Sequence, residues 1–469
     1  MPQVPLPTGF QSTDDFPDLH ESLINMMNIG ENKLMQRPGI VSNNVVGNGA
    51  CRGSDNFRDE LYQVSGTDLI RVEEDGTKTV LGFIEGSAEC ATAVGFVHIV
   101  VVVKGTGGRG YSYNGDTDTF AEIVDPDYPS NGCSDVAYLD GRYIFTPTDG
   151  GPALFSEPFM PDDIGALSFF DAETQPDRNE GCWNYKNRLY LAGSDTMEVF
   201  RNVGGSPVPY QRIDGAALDY GLVAGHTPWG DSVAFLGKKK KGNFGMFIVG
   251  SGTAPRISNP AVDNLLNNFY TLAELQTCIA QTFEWKGVEV AVFHLPFHTL
   301  FYNGVGWSFA RSIATFEEKQ QLVEEFKTWR VNYITHVYGE YYVGDVLTND
   351  IGILDDVAND YGDNITSGFD TFLKADRDSY FTANFMELDG LVGQAAVGAP
   401  ESTIGLSVSD DGKNYGPLFY VGLGLIGEYS RRITWEYTGG LGDYESLMAI
   451  RIRTTAQVEI SGEGLNIDI

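Results

Sequence analysis

Two histidines four residues apart are the first candidates for chemistry in this 469-residue chain. His294 and His298 stand at the two ends of the stretch HLPFH, and histidines at this spacing bind zinc when they share one face of a helix. Pro296 lies between them and does not suit a helix interior, and no glutamate follows the first histidine as in zinc proteases. We therefore expect the pair to shape a turn, and we predict no metal site.

The other chemical patterns also favour structural roles. The stretch GTGGRG at residues 105–110 resembles a phosphate-binding loop, but strand-like sequence surrounds it and no helix follows to hold a phosphate. The chain has no G-x-S-x-G motif and no C-x-x-C spacing, so we predict no catalytic residue, no cofactor and no enzymatic activity. We expect the five cysteines to be buried thiols: Cys51, Cys90, Cys133, Cys182 and Cys278.

One basic run interrupts an acidic chain. Lys238, Lys239, Lys240 and Lys241 lie between two strand-like runs, which places them at the tip of a hairpin. A solvated tip is the simpler interpretation. The alternative is a charged knob that docks on an acidic neighbouring subunit or touches DNA phosphates.

The charge balance limits the classes of partner. With 31 basic and 64 acidic residues the formal charge is -33, which argues against a surface that grips nucleic acid. A strongly acidic wall repels DNA and keeps it from adhering, so the charge fits a DNA conduit as well as a merely soluble protein. We expect no secretion signal and no membrane segment, because the longest apolar stretch, at 98–103, is far too short to span a bilayer.

Strand-turn-strand units are the elements that must position these residues. Around the two histidines, apolar runs at 288–293 and 299–302 predict a β-hairpin, and similar units recur from about residue 58 to 354. Corresponding turn residues, from Gly95 to Gly339, are spaced 43 to 57 residues apart, which is typical of four-stranded propeller blades. The fold class predicted is all-β, with a β-propeller of seven blades, or six if the weak first unit belongs elsewhere.

The composition also divides the chain into regions. We expect a short helix around residues 19–27 in the first region, and a sandwich in the last because six or so strand-like runs with turns occupy about 100 residues. The predicted regions are an N-terminal arm at 1–50, a β-propeller at 51–365 with helical insertions near 260–278 and 315–329, and a C-terminal β-sandwich at 366–469.

Several segments carry a family resemblance that runs in order along the chain. FIVGSG at 247–252, YTLAEL at 270–275 and FHLPFHTLFY at 293–302 resemble the packaged-DNA stabilisation proteins of short-tailed bacteriophages, also called tail accessory factors, tail hub or nozzle proteins. RPGI at 37–40, LKAD at 373–376 and LSVSDDGKNYG at 406–416 are similar as well. The lysine run and the predicted helix at 315–329 have no counterpart that we can map onto the family.

The resemblance implies a structural protein of the virion tail, made in the host bacterial cytoplasm. It implies a homo-oligomer, a hexameric ring below the portal and its adaptor ring protein, that retains packaged double-stranded DNA without binding it tightly. Such a ring anchors tail fibre, spike or needle proteins and passes DNA during ejection. The family has no catalytic residues to carry over to this chain.

Two hypotheses and one alternative complete the sequence-based view. The negative charge predicts an acidic lumen, and residues 1–50 together with the C-terminal sandwich are expected to supply much of the contact between subunits. The alternative is a carbohydrate-binding or carbohydrate-active propeller, since 23 tyrosines and six tryptophans could stack on sugars. The absence of repeated Asp-box turns disfavours it, because the one similar stretch, SDDGKNY at 409–415, lies outside the repeats.

Overall fold

The fold is built almost entirely of β-strands. A computed structural model describes residues 3–12, 20–30, 33–172, 177–250, 252–312, 315–318, 321–324, 328–374, 381–390, 392–393, 401–441 and 447–468. Within them, no helix is long and apolar enough to cross a membrane. The strands of the N-terminal segment are β1 (Gln3–Val4), β2 (Gln11–Ser12), β3 (His20–Ile24), β4 (Met26–Asn28), β5 (Lys33–Gln36) and β6 (Gly39–Val46).

Four antiparallel sheets of four strands follow, each made from one continuous piece of chain. Tight turns join the strands, and residues such as Asp140 and Gly141 take the positive φ angles that these turns require. The strands are β7 (Cys51–Phe57), β8 (Glu60–Ser65), β9 (Asp68–Val72), β10 (Lys78–Phe83), β11 (Cys90–Val94), β12 (His98–Val103), β13 (Gly110–Asn114), β14 (Thr119–Glu122), β15 (Cys133–Leu139), β16 (Arg142–Pro147), β17 (Ala153–Phe155), β18 (Phe169–Phe170), β19 (Asn179–Tyr185), β20 (Arg188–Gly193), β21 (Met197–Asn202) and β22 (Tyr210–Arg212).

Three further blades and two short helices come next in the chain. Asn259 caps the first helix by accepting a hydrogen bond from the backbone N–H of Val262, and Pro260 begins it. The elements are β23 (Tyr220–Trp229), β24 (Ser232–Lys239), β25 (Phe244–Ile248), α1 (Pro260–Asn268), α2 (Leu272–Leu275), β26 (Ile279–Trp285), β27 (Val288–His294), β28 (Thr299–Tyr302), β29 (Trp307–Ala310), β30 (Thr315–Glu318), β31 (Gln321–Glu324), β32 (Val331–Val337), β33 (Glu340–Asp345) and β34 (Asp350–Asp355).

The last part of the chain contributes long strands to two packed sheets. One sheet runs in the order β4-β5-β43-β38-β41 and the other contains β3, β37, β42, β39 and β40. The strands β35 (Asn359–Asp360) and β36 (Asp363–Asn364) come first and join the sheet that contains β6 and β34. The strands that this region gives to the two packed sheets are β37 (Ser367–Lys374), β38 (Phe381–Gly390), β39 (Thr403–Ser409), β40 (Phe419–Gly422), β41 (Ile433–Leu441), β42 (Leu447–Thr454) and β43 (Glu459–Asp468).

The propeller has seven blades, so the larger of the two predicted blade numbers is correct for the described residues. The first strand of every blade contacts the first strand of the next, and β32 of the seventh blade contacts β7 of the first, which closes the ring. The seventh blade takes its outermost strand from the N-terminal segment, since β6 pairs with β34 through Val41 and Ile353. Two distant parts of the chain therefore complete the ring together.

The packing between blades explains why the inner strands are continuously apolar. In β12, Ile99, Val101 and Val103 pack on the first blade, while Val100 and Val102 pack on the third. Because side chains alternate between the two faces of a strand, a strand covered on both faces needs apolar residues at every position. Burial of each such side chain contributes about 1.5–3 kcal/mol.

The N-terminal segment is part of the fold of its own chain. Leu23, Met26 and Leu34 lie in the core of the sandwich beside Ile450 and Ile452. The strand β3 pairs with β37 of the sandwich on one side, and meets β29 of the sixth blade in a parallel bridge between Ile24 and Phe309 on the other. One sheet thus continues from the sixth blade, through the N-terminal segment, into the sandwich.

Three predictions about helices can be compared with this fold. The helical insertion near 260–278 is confirmed by α1 and α2. The helix predicted at 315–329 is wrong, because β30 and β31 form a hairpin in which Phe316 pairs with Val323. The short helix predicted around 19–27 is also wrong, because that sequence forms β3 and β4. In both failures apolar residues at helical spacing also suit a strand that finds a pairing partner.

Candidate functional site

The two histidines of the sixth blade lie at the ends of the turn between β27 and β28 but have different neighbours. His294 stacks on Trp329 with ring centroids 6.2 Å apart, and burial lowers its pKa to about 4, so the ring is neutral at pH 7. His298 instead lies 2.7 Å from the hydroxyl of Tyr270 through Nδ1. Among the described residues no group of His, Cys, Asp and Glu could hold a metal ion.

The glycine-rich loop and the cysteines have structural environments. Residues 105–109 form the turn between β12 and β13, where the N–H of Gly107 donates to the carbonyl of Asn131 at 3.0 Å. No helix N-terminus meets this loop in the described sequence. All five cysteines are buried and free, as predicted, and burial raises the pKa of the Cys51 and Cys133 thiols to about 12.

The SDDGKNY stretch begins at the last residue of β39 and forms a turn before β40. Asp411 holds it together by accepting hydrogen bonds from the backbone N–H groups of Lys413 and Asn414 at 2.8 and 2.7 Å. These bonds favour the carboxylate and hold the pKa of Asp411 well below its usual range. The hydrogen bonds of Asp411 therefore stay within the turn and stabilise it.

Polar residues on the first strands tie blades together around the propeller axis. The hydroxyl of Thr92 donates to Asp55 at 3.0 Å, linking the second blade to the first. Asp135 of the third blade lies 3.0 Å from Nε2 of His226 in the fifth, and it accepts from the N–H of Cys182 in the fourth at 3.2 Å. Nothing in the local sequence predicts these contacts, because their partners lie 37 to 91 residues apart.

A buried ion pair occupies the junction between the propeller, the sandwich and the N-terminal segment. Arg37 donates from Nη1 to Oδ1 of Asp360 at 3.0 Å and from Nη2 to Oδ2 at 2.6 Å, and both side chains are almost fully buried. Ser312, after the sixth blade, donates to the same carboxylate at 2.6 Å. The Arg37 guanidinium also lies 5.3 Å from the ring of Trp329. We call Arg37, Asp360, Ser312 and Asn25 the junction cluster.

Asn25 extends the junction cluster into the sandwich. Its Oδ1 accepts from Nε of Arg37 at 2.9 Å and from the N–H of Arg311 at 2.7 Å, while its Nδ2 donates to the carbonyl of Thr366 at 2.8 Å. Asn25 has a φ of 54°, a conformation that asparagine tolerates better than most residues. One side chain therefore joins the N-terminal segment, the sixth blade and the start of the sandwich.

A second buried pair supports the junction from the seventh blade. Arg330 donates to Asp345 from Nε at 2.8 Å and from Nη2 at 2.5 Å, and its guanidinium lies 4.6 Å from the ring of Tyr361. Bidentate pairs of this kind fix orientation because two parallel hydrogen bonds allow little rotation. The sequence drew attention to Arg37 only through the RPGI match and did not indicate Arg330.

The lysine run lies at the tip between β24 and β25, as predicted. Lys238 forms an ion pair with Asp195 at 3.2 Å, whereas Lys239 and Lys241 are exposed. Helix α1 lies directly beside this tip, because Asn267 both accepts from the N–H of Phe244 and donates to its carbonyl, each at 3.0 Å.

Exposed apolar side chains lie at the same, C-terminal end of α1 and just after it. Phe269, Leu272 and Phe297 are 56%, 50% and 46% exposed, and the rings of Phe269 and Phe297 are 5.9 Å apart. The turn that carries Phe297 and the lysine tip join the second and third strands of neighbouring blades, so both lie on the same face of the ring. We call Lys239, Lys241, Phe269, Leu272 and Phe297 the basic-aromatic ridge.

Comparison with known proteins finds the same two-part organisation. The sequence model described as bacteriophage P22 Gp10, beta-propeller, matches residues 2–359, and the one described as bacteriophage P22 Gp10, beta-sandwich, matches residues 368–469. The tail hub protein gp10 of Salmonella phage P22 is 25% identical over 440 residues, covering 88% of this chain and 87% of that protein.

Two solved structures with some likeness are a propeller domain and a designed protein. The WD40 beta propeller domain of Doa1 has a TM-score of 0.38 at 11% identity and covers 68% of this chain and 97% of its own. The computationally designed Ika8 protein has a TM-score of 0.37 at 11% identity, covering 68% and 99%. Because the family matches together span nearly the whole sequence, the chain belongs to the bacteriophage P22 Gp10 family of β-propeller and β-sandwich proteins.

Proposed function

We propose that this protein is a structural component of a phage tail, a hub that assembles as a hexameric ring below the portal and its adaptor ring. The observation that carries the proposal is the family match over both the propeller and the sandwich, in the order found in the P22 tail hub protein. In this role the protein retains packaged DNA, anchors fibre, spike or needle proteins, and passes DNA during ejection.

Hydrogen bonds and ion pairs between distant parts of the chain support this role. A ring that holds back a packaged genome has to resist deformation, and the junction cluster fixes the sandwich to the propeller with buried hydrogen-bonded charges. We further propose a division of labour between a propeller at 51–365 and a sandwich at 366–469, with residues 1–50 shared by both. The strands β3, β4, β5 and β6 pair within the chain, and we assign the contact between subunits mainly to other surfaces.

The formal charge of -33 supports a lumen that repels DNA. DNA then slides past without adhering, and the protein needs no catalytic residue to work. A lumen lined by lysine and arginine would contradict this part of the proposal, because such residues release counterions from DNA and bind it.

Electron microscopy of tails purified from the phage that encodes the chain tests the proposal. We expect six copies in a ring around a channel as wide as a DNA duplex, placed next to the portal complex. Tails that lack the chain, or that carry it as single copies at the periphery, would contradict the hub role.

A further inference from the structure

We propose that the basic-aromatic ridge docks on the acidic turns of the opposite face of a second copy of this chain. The proposal rests on the tail-ring function given above and identifies the surface that joins neighbouring subunits. It starts from an electrostatic problem, since two molecules with a formal charge of -33 repel each other over most of their surfaces.

The ridge meets the conditions for a contact between such molecules. Lys239 and Lys241 are exposed and take part in no ion pair within the part of the chain that the structure describes. Phe269, Leu272 and Phe297 place apolar area beside this charge, and large aromatic side chains dominate the energy of many interfaces. Apolar area beside complementary charge is typical of a specific protein contact.

The opposite face of the propeller offers the complementary charge. Glu74 and Asp75 are exposed in the turn between β9 and β10, and Asp162 and Asp163 are exposed between β17 and β18. These turns join third and fourth strands, whereas the lysine tip joins a second to a third strand, so the two sets lie at opposite ends of the blades. A contact between one face and the opposite face of the next copy is head-to-tail, and such contacts generate a ring when the rotation between copies closes and an open filament when it does not.

Strand length makes this proposal testable by cross-linking. The strand β24 has eight residues, and strands rise about 3.3 Å per residue, so the two faces of one copy lie roughly 25 Å apart. A carbodiimide joins an amine directly to a carboxylate with loss of water and bridges no such gap. A bond between Lys239 or Lys241 and an acidic turn of the opposite face must therefore join two copies.

The experiment applies the carbodiimide to tails purified from virions and identifies the joined peptides by mass spectrometry. We expect links from Lys239 or Lys241 to Glu74, Asp75, Asp162 or Asp163. In parallel, variants K239E/K241E and F297S are supplied during infection, and we expect their incorporation into tails to fall roughly tenfold or more. The controls are K33E and F419S, at a lysine and an exposed phenylalanine on the sheets of the sandwich and so outside both faces of the proposed contact, with unaltered thermal unfolding required of every variant.

The outcomes separate the two proposals. If the tails contain a ring of this chain but the links are absent and both ridge variants incorporate as the wild type does, the ridge is not the subunit contact and only this inference is overturned. If K239E/K241E incorporates normally but weakens binding of a 30-base-pair duplex to the tails, the lysines contact DNA and the inference is also overturned. If the tails lack the chain, the hub role fails first.

Discussion

The second blade and the junction cluster represent two ways in which the chain holds itself together. The second blade is built from residues 90–122 and rests on aliphatic side chains that alternate between its two neighbours. The junction combines residues from three distant parts of the chain and rests on buried, hydrogen-bonded charges. Local apolar packing tolerates the truncation of one side chain at a moderate loss of stability. Removal of one member of a buried charge cluster destabilises the fold more, because it leaves the remaining charge buried without a partner.

The largest expected effect is at the junction. Arg37→Ala leaves the Asp360 carboxylate buried without its partner, and we expect the free energy of unfolding to fall by about 3–5 kcal/mol. Urea denaturation followed by circular dichroism measures the loss. Arg109→Ala is the control, since Arg109 pairs with two carboxylates, those of Glu85 and Glu122, but lies half exposed. Equal losses for the two variants would remove the distinction between the junction and an ordinary surface pair.

The second blade is expected to lose less from truncation of one core side chain. Val100→Ala removes two methyl groups from a fully buried position, and we expect a loss of about 2 kcal/mol. Val80, an exposed strand residue of the first blade, provides the control Val80→Ala. The same denaturation series compares them, and a loss at Val100 as large as that for Arg37→Ala would contradict the ranking.

The contribution of Asp55, near the propeller axis, to folding stability is expected to depend on pH in the opposite sense to that of a carboxylate in a buried ion pair. Burial raises the pKa of Asp55 to about 6, so the folded protein binds a proton that the unfolded chain has already released. The contribution of Asp55 to stability therefore falls as pH rises from about 4 to about 6, and it stays low above that range.

Asp55→Asn isolates this effect because asparagine does not titrate. We expect the stability of the variant relative to the wild type to rise by up to about 2 kcal/mol between pH 4 and pH 7. Denaturation at both pH values gives this difference. The titration of all other groups changes the stability of both proteins equally, so it cancels in the comparison. A difference that does not change with pH would contradict the raised pKa.

The smallest expected effect lies in the helical insertion, outside both the ring and the junction. Asn259→Ala removes the cap of α1 and a hydrogen bond to the carbonyl of Phe10, and we expect a loss of about 1 kcal/mol. Asn268→Ala, at an exposed position of the same helix, is the control. Hydrogen exchange at the N-terminus of α1 should quicken only in the first variant, and identical exchange in both would argue against the cap.

The elements that could be predicted are those whose residues lie close together in the sequence. The hairpin of β27 and β28 could be recognised because both strands, the turn and Pro296 lie within one short stretch, and the repeat spacing led to the propeller in the same way. The hairpin of β30 and β31 was missed because Phe316, Leu322 and Val323 also suit one face of a helix. Pattern alone cannot choose between the two when the segment is short.

The junction could not be predicted because its information is spread along the chain. The side chain of Arg37 reaches Asp360, 323 residues away, and β3 pairs with β37 across a similar separation. Nothing near Arg37 distinguishes a buried arginine from an exposed one, and the apolar residues of the N-terminal segment are as compatible with a mobile arm as with a core. Only the assembled fold shows which partner each one meets.

The N-terminal segment, which both the propeller and the sandwich share, also determines the order in which the parts of the protein can fold. The strand β5 pairs with β43, and β6 completes a blade whose other strands end at Asp355, so both strands leave the ribosome several hundred residues before their partners. Blades two to four can fold as soon as their own residues are made, while the seventh blade and the sandwich close only after β34 and β43 are made. A truncated chain therefore exposes unpaired strand edges. Such edges distinguish an incompletely synthesised chain from a folded subunit before assembly into a tail.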